Sequence, residues 1–107
     1  MKIKIVFILI AVFVFACAGT KELTMDEELI LGKEKFKLFC SPCHGIDGKL
    51  NINHAKDLTK SISGLKSRVK TITEGKGMMT PFKGILTPEE IEAVAKYTIY
   101  LRKKSKQ

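Results

Sequence analysis

No stretch of this sequence is apolar for long enough to cross a bilayer. The apolar run Ile5 to Ala16 is twelve residues, whereas a spanning helix needs about 20. No segment alternates apolar and polar residues over a useful strand length, and neither a repeat nor a second-domain boundary appears. Acid is scarce as well, with 11 Asp and Glu against 19 Lys and Arg, a formal net charge of +8. Three cysteines, a pair and an odd one, and two histidines confine thiol or metal chemistry to one centre. What remains is one small, basic, all-α unit.

The apolar run belongs to a leader. Lys2 and Lys4 make a basic start, Ile5 to Ala16 the apolar middle, and small residues follow, which is the pattern of a secretion signal. Two cleavage patterns overlap in Val14 to Ala18. Ala16 and Ala18 satisfy the small-x-small rule for ordinary cleavage after Ala18, while Val14 and Ala16 before Cys17 resemble a bacterial lipobox in which Phe15 is bulky. Cys17 is the odd cysteine beside a pair, and a free exported thiol is a liability. The reading therefore favours a lipidated Cys17 at the outer face of a bacterial membrane, with a freely periplasmic protein as the alternative. Residues 1–18 are taken as the signal and 19–107 as the domain.

Removing residues 1–18 takes away Lys2 and Lys4 and no acid, leaving 17 basic and 11 acidic side chains, a formal +6. Export makes nucleic acid an unsuitable partner. A domain of this size buries only about 60–65% of its unfolded surface, so a staple is expected, and a large apolar cofactor would supply one.

Thr24 and Glu27 form a capping box that opens a helix. Met25, Leu29, Gly32, Phe36 and Phe39 follow at helical spacing, an apolar face that runs straight into Cys40. Gly45 to Lys60 reads as an irregular loop. Leu65, Val69 and Ile72 share a face of a second helix between Ser63 and Glu74, ended by Gly75-Lys76-Gly77. Met78 to Ile85 is again a loop, kept extended by Pro81. The last helix has Thr87 as N-cap, Pro88 at the first position, Glu90 closing the box and Leu86 stapled to Ile91. Ile91, Val94, Ala95, Tyr97, Thr98 and Leu101 form its buried side, and Arg102, Lys103 and Lys104 suit its negative C-terminal end.

Cys40-Ser41-Pro42-Cys43-His44 is a CxxCH motif, the attachment signature of haem c. Two thiols add across the two vinyl groups of one porphyrin, and the adjacent histidine falls beneath the iron. A thioredoxin-like dithiol would have a strand before the motif, and here a helix precedes it. Zinc would draw on Cys40, Cys43, His44 and His54, but the neighbours Cys43 and His44 are poorly placed to share one tetrahedral centre. A structural cysteine pair leaves His44 unexplained. For the sixth iron ligand the candidates are Met78, Met79 and His54, with Met25 on the other side of the motif. A Met-Met pair in a Gly-rich, polar loop has no periodic apolar face to fill, which favours methionine, and His/Met is the usual ligation for electron transfer.

Over essentially the whole of residues 19–107 the chain resembles the small bacterial monohaem class I cytochromes c. Gly32, Phe36, Cys40, Cys43 and His44 match that family's GxxxFxxxCxxCH helix; Gly77 to Phe82 is similar to its methionine loop, and Ile91 to Leu101 with Tyr97 to its closing helix. The resemblance implies three to four helices with long loops wrapped around one covalently bound haem c. It further implies cofactor contacts at Cys40, Cys43, His44 and Met79. Met79 is preferred to Met78 as the second iron ligand because it stands three residues before Phe82. The family's proline about a dozen residues after the haem histidine is missing from His54-Ala55-Lys56-Asp57-Leu58, although a backbone carbonyl remains to orient His44.

The function implied is that of a one-electron carrier, not an enzyme, working by outer-sphere transfer with redox partner proteins whose docking surfaces are acidic. The alternatives are a haem subunit dedicated to one periplasmic oxidoreductase, or a haem enzyme or gas-binding protein with a displaceable sixth ligand.

Overall fold

The computed structural model describes Gly19 and residues 21–107. The leader expected over 1–18 and the lipidation expected at Cys17 lie outside the described residues. Among the described residues four α-helices follow in order: α1 (Met25–Phe39), α2 (Ser41–His44), α3 (Leu65–Glu74) and α4 (Pro88–Lys104), with one 3-10 turn (Ile52–His54) between α2 and α3. Among the described residues there is no strand, only isolated bridges within two tight turns, Lys76 to Met79 and Lys83 to Leu86. The all-α arrangement of helices and long loops that the resemblance implies is thus present.

Local chemistry sets the helix ends. The Thr24 amide donates to the Glu27 carboxylate at 2.9 Å while the Glu27 amide donates back to Thr24 Oγ1 at 3.3 Å. Thr87 and Glu90 repeat the pair at α4, at 2.9 and 3.2 Å, with Pro88 at the first position where no amide hydrogen is needed. Leu86 and Ile91 on either side of that cap are both buried, as a hydrophobic staple requires.

α1 and α4 cross where Gly32 meets Ala93. A Cβ on Gly32 would overlap the Ala93 carbonyl oxygen and lie 2.7 Å from its carbonyl carbon, so only glycine lets the two backbones approach this closely. Phe36, fully buried, fills the next turn and meets the Tyr97 ring at 5.3 Å with a 59° tilt. Lys96 bridges Glu28 at 2.7 Å and Lys35 bridges Glu90 at 2.9 Å across the rim of the crossing. α3 packs on α4 through Ile72 and is tied to the following loop by Phe82, whose amide donates to the Ile72 carbonyl at 3.0 Å.

Two residues of the expected α1 face lie elsewhere. Met25 is 87% exposed and Phe39 is exposed too; they stand at the two ends of α1, outside the stretch from Glu28 to Phe36 that carries the Lys96 bridge and the Tyr97 ring contact with α4. Phe39 instead places its ring edge-on to Phe82, centroids 6.0 Å apart.

Gly32→Ala should destabilise the haem-loaded protein by about 1–3 kcal/mol, since the helices must separate, lowering Tm by on the order of 5–20 °C. Gly64→Ser is the control. A Cβ there meets nothing within 4 Å, and the added hydroxyl can cap α3, so thermal unfolding should be unchanged or delayed.

Candidate cofactor site

Cys40 closes α1, its amide donating to the Phe36 carbonyl at 2.9 Å, and its own carbonyl then starts α2 by accepting from Cys43 at 3.2 Å and His44 at 2.9 Å. Pro42 fits the first turn of α2, where its missing amide hydrogen costs nothing. The motif is thus wound into one helical turn, which puts the thiols of Cys40 and Cys43, three residues apart, on one side of it. Both are free cysteines, Cys40 buried and Cys43 half-buried. Burial, reinforced by Cys43 beside it, pushes the Cys40 thiol up to about 12. A redox-active dithiol is tuned the other way, to a low pKa, so the thioredoxin-like reading lacks its chemistry here.

His44 Nδ1 lies 3.1 Å from the Lys56 carbonyl oxygen. A carbonyl only accepts, so Nδ1 carries the hydrogen and Nε2 keeps its lone pair. Burial lowers the His44 pKa, an effect the Lys56 bond partly opposes, and the imidazole at neutral pH is the uncharged, ligating form. The loop is shaped to deliver that carbonyl. The Leu50 amide donates to the His44 carbonyl at 2.9 Å and the Leu58 amide to the Gly48 carbonyl at 2.8 Å. Between them Asn53 and His54 adopt φ of 53° and 60°, a left-handed bend that asparagine tolerates well and that folds the chain back under His44. The sequence leaves the orienting residue open; Lys56 supplies it, twelve residues after His44.

On the other side, Gly75 at φ 73° turns the chain out of α3, and a Cβ there would stand 2.6 Å from the Met79 carbonyl oxygen. Met79, its amide donating to the Lys76 carbonyl at 3.0 Å, is half-buried against the core, whereas Met78 is 68% exposed. His54 and Met25 are exposed. Among the described residues no three His, Cys, Asp or Glu side chains gather in a metal-binding group, so Cys40, Cys43, His44 and His54 are not assembled as a zinc centre.

α1 and α3 each pack on α4 and not on one another. The turn carrying Cys40, Cys43 and His44 and the side carrying α3 and the Met79 loop are therefore held relative to one another through α4, with Leu58, Leu65 and Val69 half-buried against the core. Two reduced thiols on one turn, a fixed imidazole lone pair, a thioether and apolar flanks form a donor set that suits an iron porphyrin attached by thioethers. Sequence reasoning missed Arg68, which is 6% exposed. Its spacing to Leu65 and Ile72 was the available sign, since all three share one face of α3.

The family model described as cytochrome c oxidase, cbb3-type, subunit III, matches residues 27–97. The chain is similar to cytochrome c6 of Rippkaea orientalis, 30% identical over 102 residues that cover 90% of this chain and 91% of the relative. Cytochrome c6 of a Nostoc species is 31% identical over 102 residues, covering 90% and 88%. Cytochrome c6 of Gloeothece citriformis is 38% identical over 74 residues, covering 64% and 66%.

Lys56→Pro should keep the carbonyl that His44 needs. The Lys56 amide donates to no backbone carbonyl, and Ala55 at ψ 129° is already in the region that precedes proline. The expected result is an unchanged haem absorption spectrum with stability equal or higher by about 0.4–1 kcal/mol. A shifted Soret band would mean that the substitution has moved His44.

Proposed function

This chain belongs to the small monohaem class I cytochromes c, and we propose that its haem is attached at Cys40 and Cys43 and ligated by His44 and Met79. Membership brings one covalently bound haem c and an electron-carrying role, not an enzymatic one. The observation that carries the site assignment is His44, fixed through Nδ1 to the Lys56 carbonyl with Nε2 left to ligate, beside two reduced thiols on one helical turn.

Haem c supplies a one-electron couple between ferric and ferrous iron. The protein contributes stiffness and surroundings. Lys56 keeps the imidazole plane and tautomer fixed, Met79 offers a thioether from a loop pinned by Phe82, and the packed helices exclude water from one side. A site that does not rearrange when its charge changes by one is what outer-sphere transfer needs.

The Lys2, Lys4 and Ile5 to Ala16 pattern supports export to the bacterial periplasm or the outer membrane face, and the Val14 to Cys17 pattern supports a lipid anchor at Cys17. Among the described residues no helix is long and apolar enough to cross a membrane. The excess of cations supports docking on acidic partner proteins. A second reading, a haem subunit dedicated to one oxidoreductase, is favoured by the oxidase-subunit description of the matching family. A stable complex with an oxidase on mild membrane solubilisation would select it over a diffusing carrier.

Expressed with a cytochrome maturation system, the protein should be heavier than its chain by one haem that survives acid denaturation. Replacing both Cys40 and Cys43 with alanine should abolish the attachment. Met79→Ala should lower the reduction potential, remove the red-region charge-transfer band of sulfur-ligated ferric haem and admit added ligands, while Met78→Ala leaves all three unchanged; the reverse pattern would put the ligand at Met78.

Cys17→Ser should release a soluble red protein from the membrane fraction. A native N-terminus at Gly19 would instead mean ordinary cleavage and no anchor.

A further inference from the structure

Two open depressions of about 790 and 780 Å³ adjoin one another where the loop after the CxxCH turn meets the end of α4, and they share Lys49, Asp57, Lys60 and Ile62. Six cations line them: Lys49, Lys56 and Lys60 from the loop, and Arg102, Lys103 and Lys106 from the end of α4 and just beyond. None of the six forms an ion pair among the described residues. Asp57 is the one acidic side chain lining either depression, and it is committed to the Thr59 hydroxyl at 2.6 Å and the Thr59 amide at 2.9 Å. The five lysines are exposed; Arg102 is half-buried, its guanidinium held by the Ser61 carbonyl at 3.1 Å. Ile62, the one large apolar side chain among the lining residues, is 92% exposed.

The negative end of α4 accounts for Arg102 and Lys103, but not for Lys49, Lys56 and Lys60, which a separate segment brings to the same side. A lone surface lysine is satisfied by water. Six cations around one carboxylate repel one another, and an anionic partner relieves that repulsion. The composition separates two kinds of partner. Protein interfaces are poor in lysine and rich in aromatic residues at their centres; here five of the six cations are lysines and no aromatic residue lines either depression. A cluster of about four to eight Lys and Arg is the pattern that gathers acidic phospholipid headgroups, and an aliphatic tip among such cations can enter the headgroup layer. Arg102 commits one of its five N–H donors to Ser61 and keeps the rest for a phosphate.

We propose that this side of the chain docks on an anionic phospholipid surface, with the six cations on headgroup phosphates and Ile62 in the interfacial layer. The inference rests on the export reading above for its location, and on neither the lipid anchor nor the haem assignment. Cys40, Cys43, His44 and Met79 line neither depression. The residues that meet the membrane are therefore not those assigned to the redox centre.

The test uses the haem-loaded Cys17→Ser chain, which cannot be lipidated, and its sedimentation with vesicles of phosphatidylcholine alone or mixed with phosphatidylglycerol at low ionic strength. Binding should appear only with phosphatidylglycerol and weaken as salt rises. Replacing Lys49, Lys60 and Lys103 together with glutamine should weaken it by about two orders of magnitude, at roughly fivefold per cation, and Ile62→Ser by about tenfold. The same loss of charge at Lys33, Lys37 and Lys70, exposed on α1 and α3 and lining neither depression, should weaken it by less than about threefold. All these side chains are exposed, so an unchanged Soret spectrum and Tm will show that each variant is folded. Equal losses in the two triple variants would mean attraction by net charge alone, and the proposal would be wrong. Binding to polyglutamate but not to the anionic vesicles would assign this side to an acidic protein and likewise overturn it. An Ile62→Ser variant that binds as tightly as its parent would overturn the insertion of that side chain. Fractionation of the unaltered protein tests export and vesicle binding tests the docking side, so either can fail without the other.

Discussion

The contact of Gly32 with the Ala93 carbonyl is the constraint on which the molecule is built. With no Cβ between them, the backbones of α1 and α4 come together and Phe36 and Tyr97 close the next layer. The direction of α1 is thereby fixed, and α1 ends at Cys40, so the crossing aims the CxxCH turn. α3 reaches the site by the same route, through its own packing on α4. His44 and Met79, the proposed iron ligands, are thus carried by elements whose relative position is set by α4. A small error at Gly32 would be transmitted to the spacing of the donors.

Much of the second level of control is exercised by backbone. A carbonyl orients His44, a glycine at positive φ turns the chain toward Met79, and amide hydrogens of Phe82 and Lys83 tie that loop to α3 at 3.0 and 3.2 Å. Backbone acceptors survive side-chain replacement. His44 can therefore be held by the Lys56 carbonyl whatever side chain stands at that position, provided the loop still doubles back beneath it. That return depends on the two left-handed residues Asn53 and His54.

The same distinction explains what the sequence could disclose. Both capping boxes, the α4 face and the Gly32 and Phe36 pair were legible because each is a local pattern of side chains read against a helical period. The Lys56 carbonyl was not, since every residue has one and only the path of the loop selects it. Arg68 was hidden for a different reason: an arginine in a short helix ordinarily lies on the solvated side, and its burial depends on Thr98, thirty residues away. Met25 and Phe39 failed in the opposite sense. Periodicity marks a face but knows nothing of how far the partner helix extends along it.

Charge is distributed in a way that separates two tasks. Glu28, Glu90 and Glu92 neutralise lysines at the α1 and α4 crossing, whereas Lys49, Lys60, Arg102, Lys103 and Lys106, in the loop after the haem motif and at the end of α4, make no ion pair among the described residues, Lys49 and Lys60 acting on Asp57 only from a distance. Exposed lysines act at a distance through solvent, and salt attenuates them beyond about 8–10 Å. They can bias an encounter with an acidic surface but hardly set an internal potential. Arg68 is the reverse case. Shielded from water by α3, α4 and the Ser61 to Ser63 segment, its field is screened little by salt and falls on whatever lies within the fold. The positive charge thus divides into exposed members that act outward through solvent and a buried one, Arg68, that ties the Ser61 and Ser63 carbonyls to Thr98 on α4.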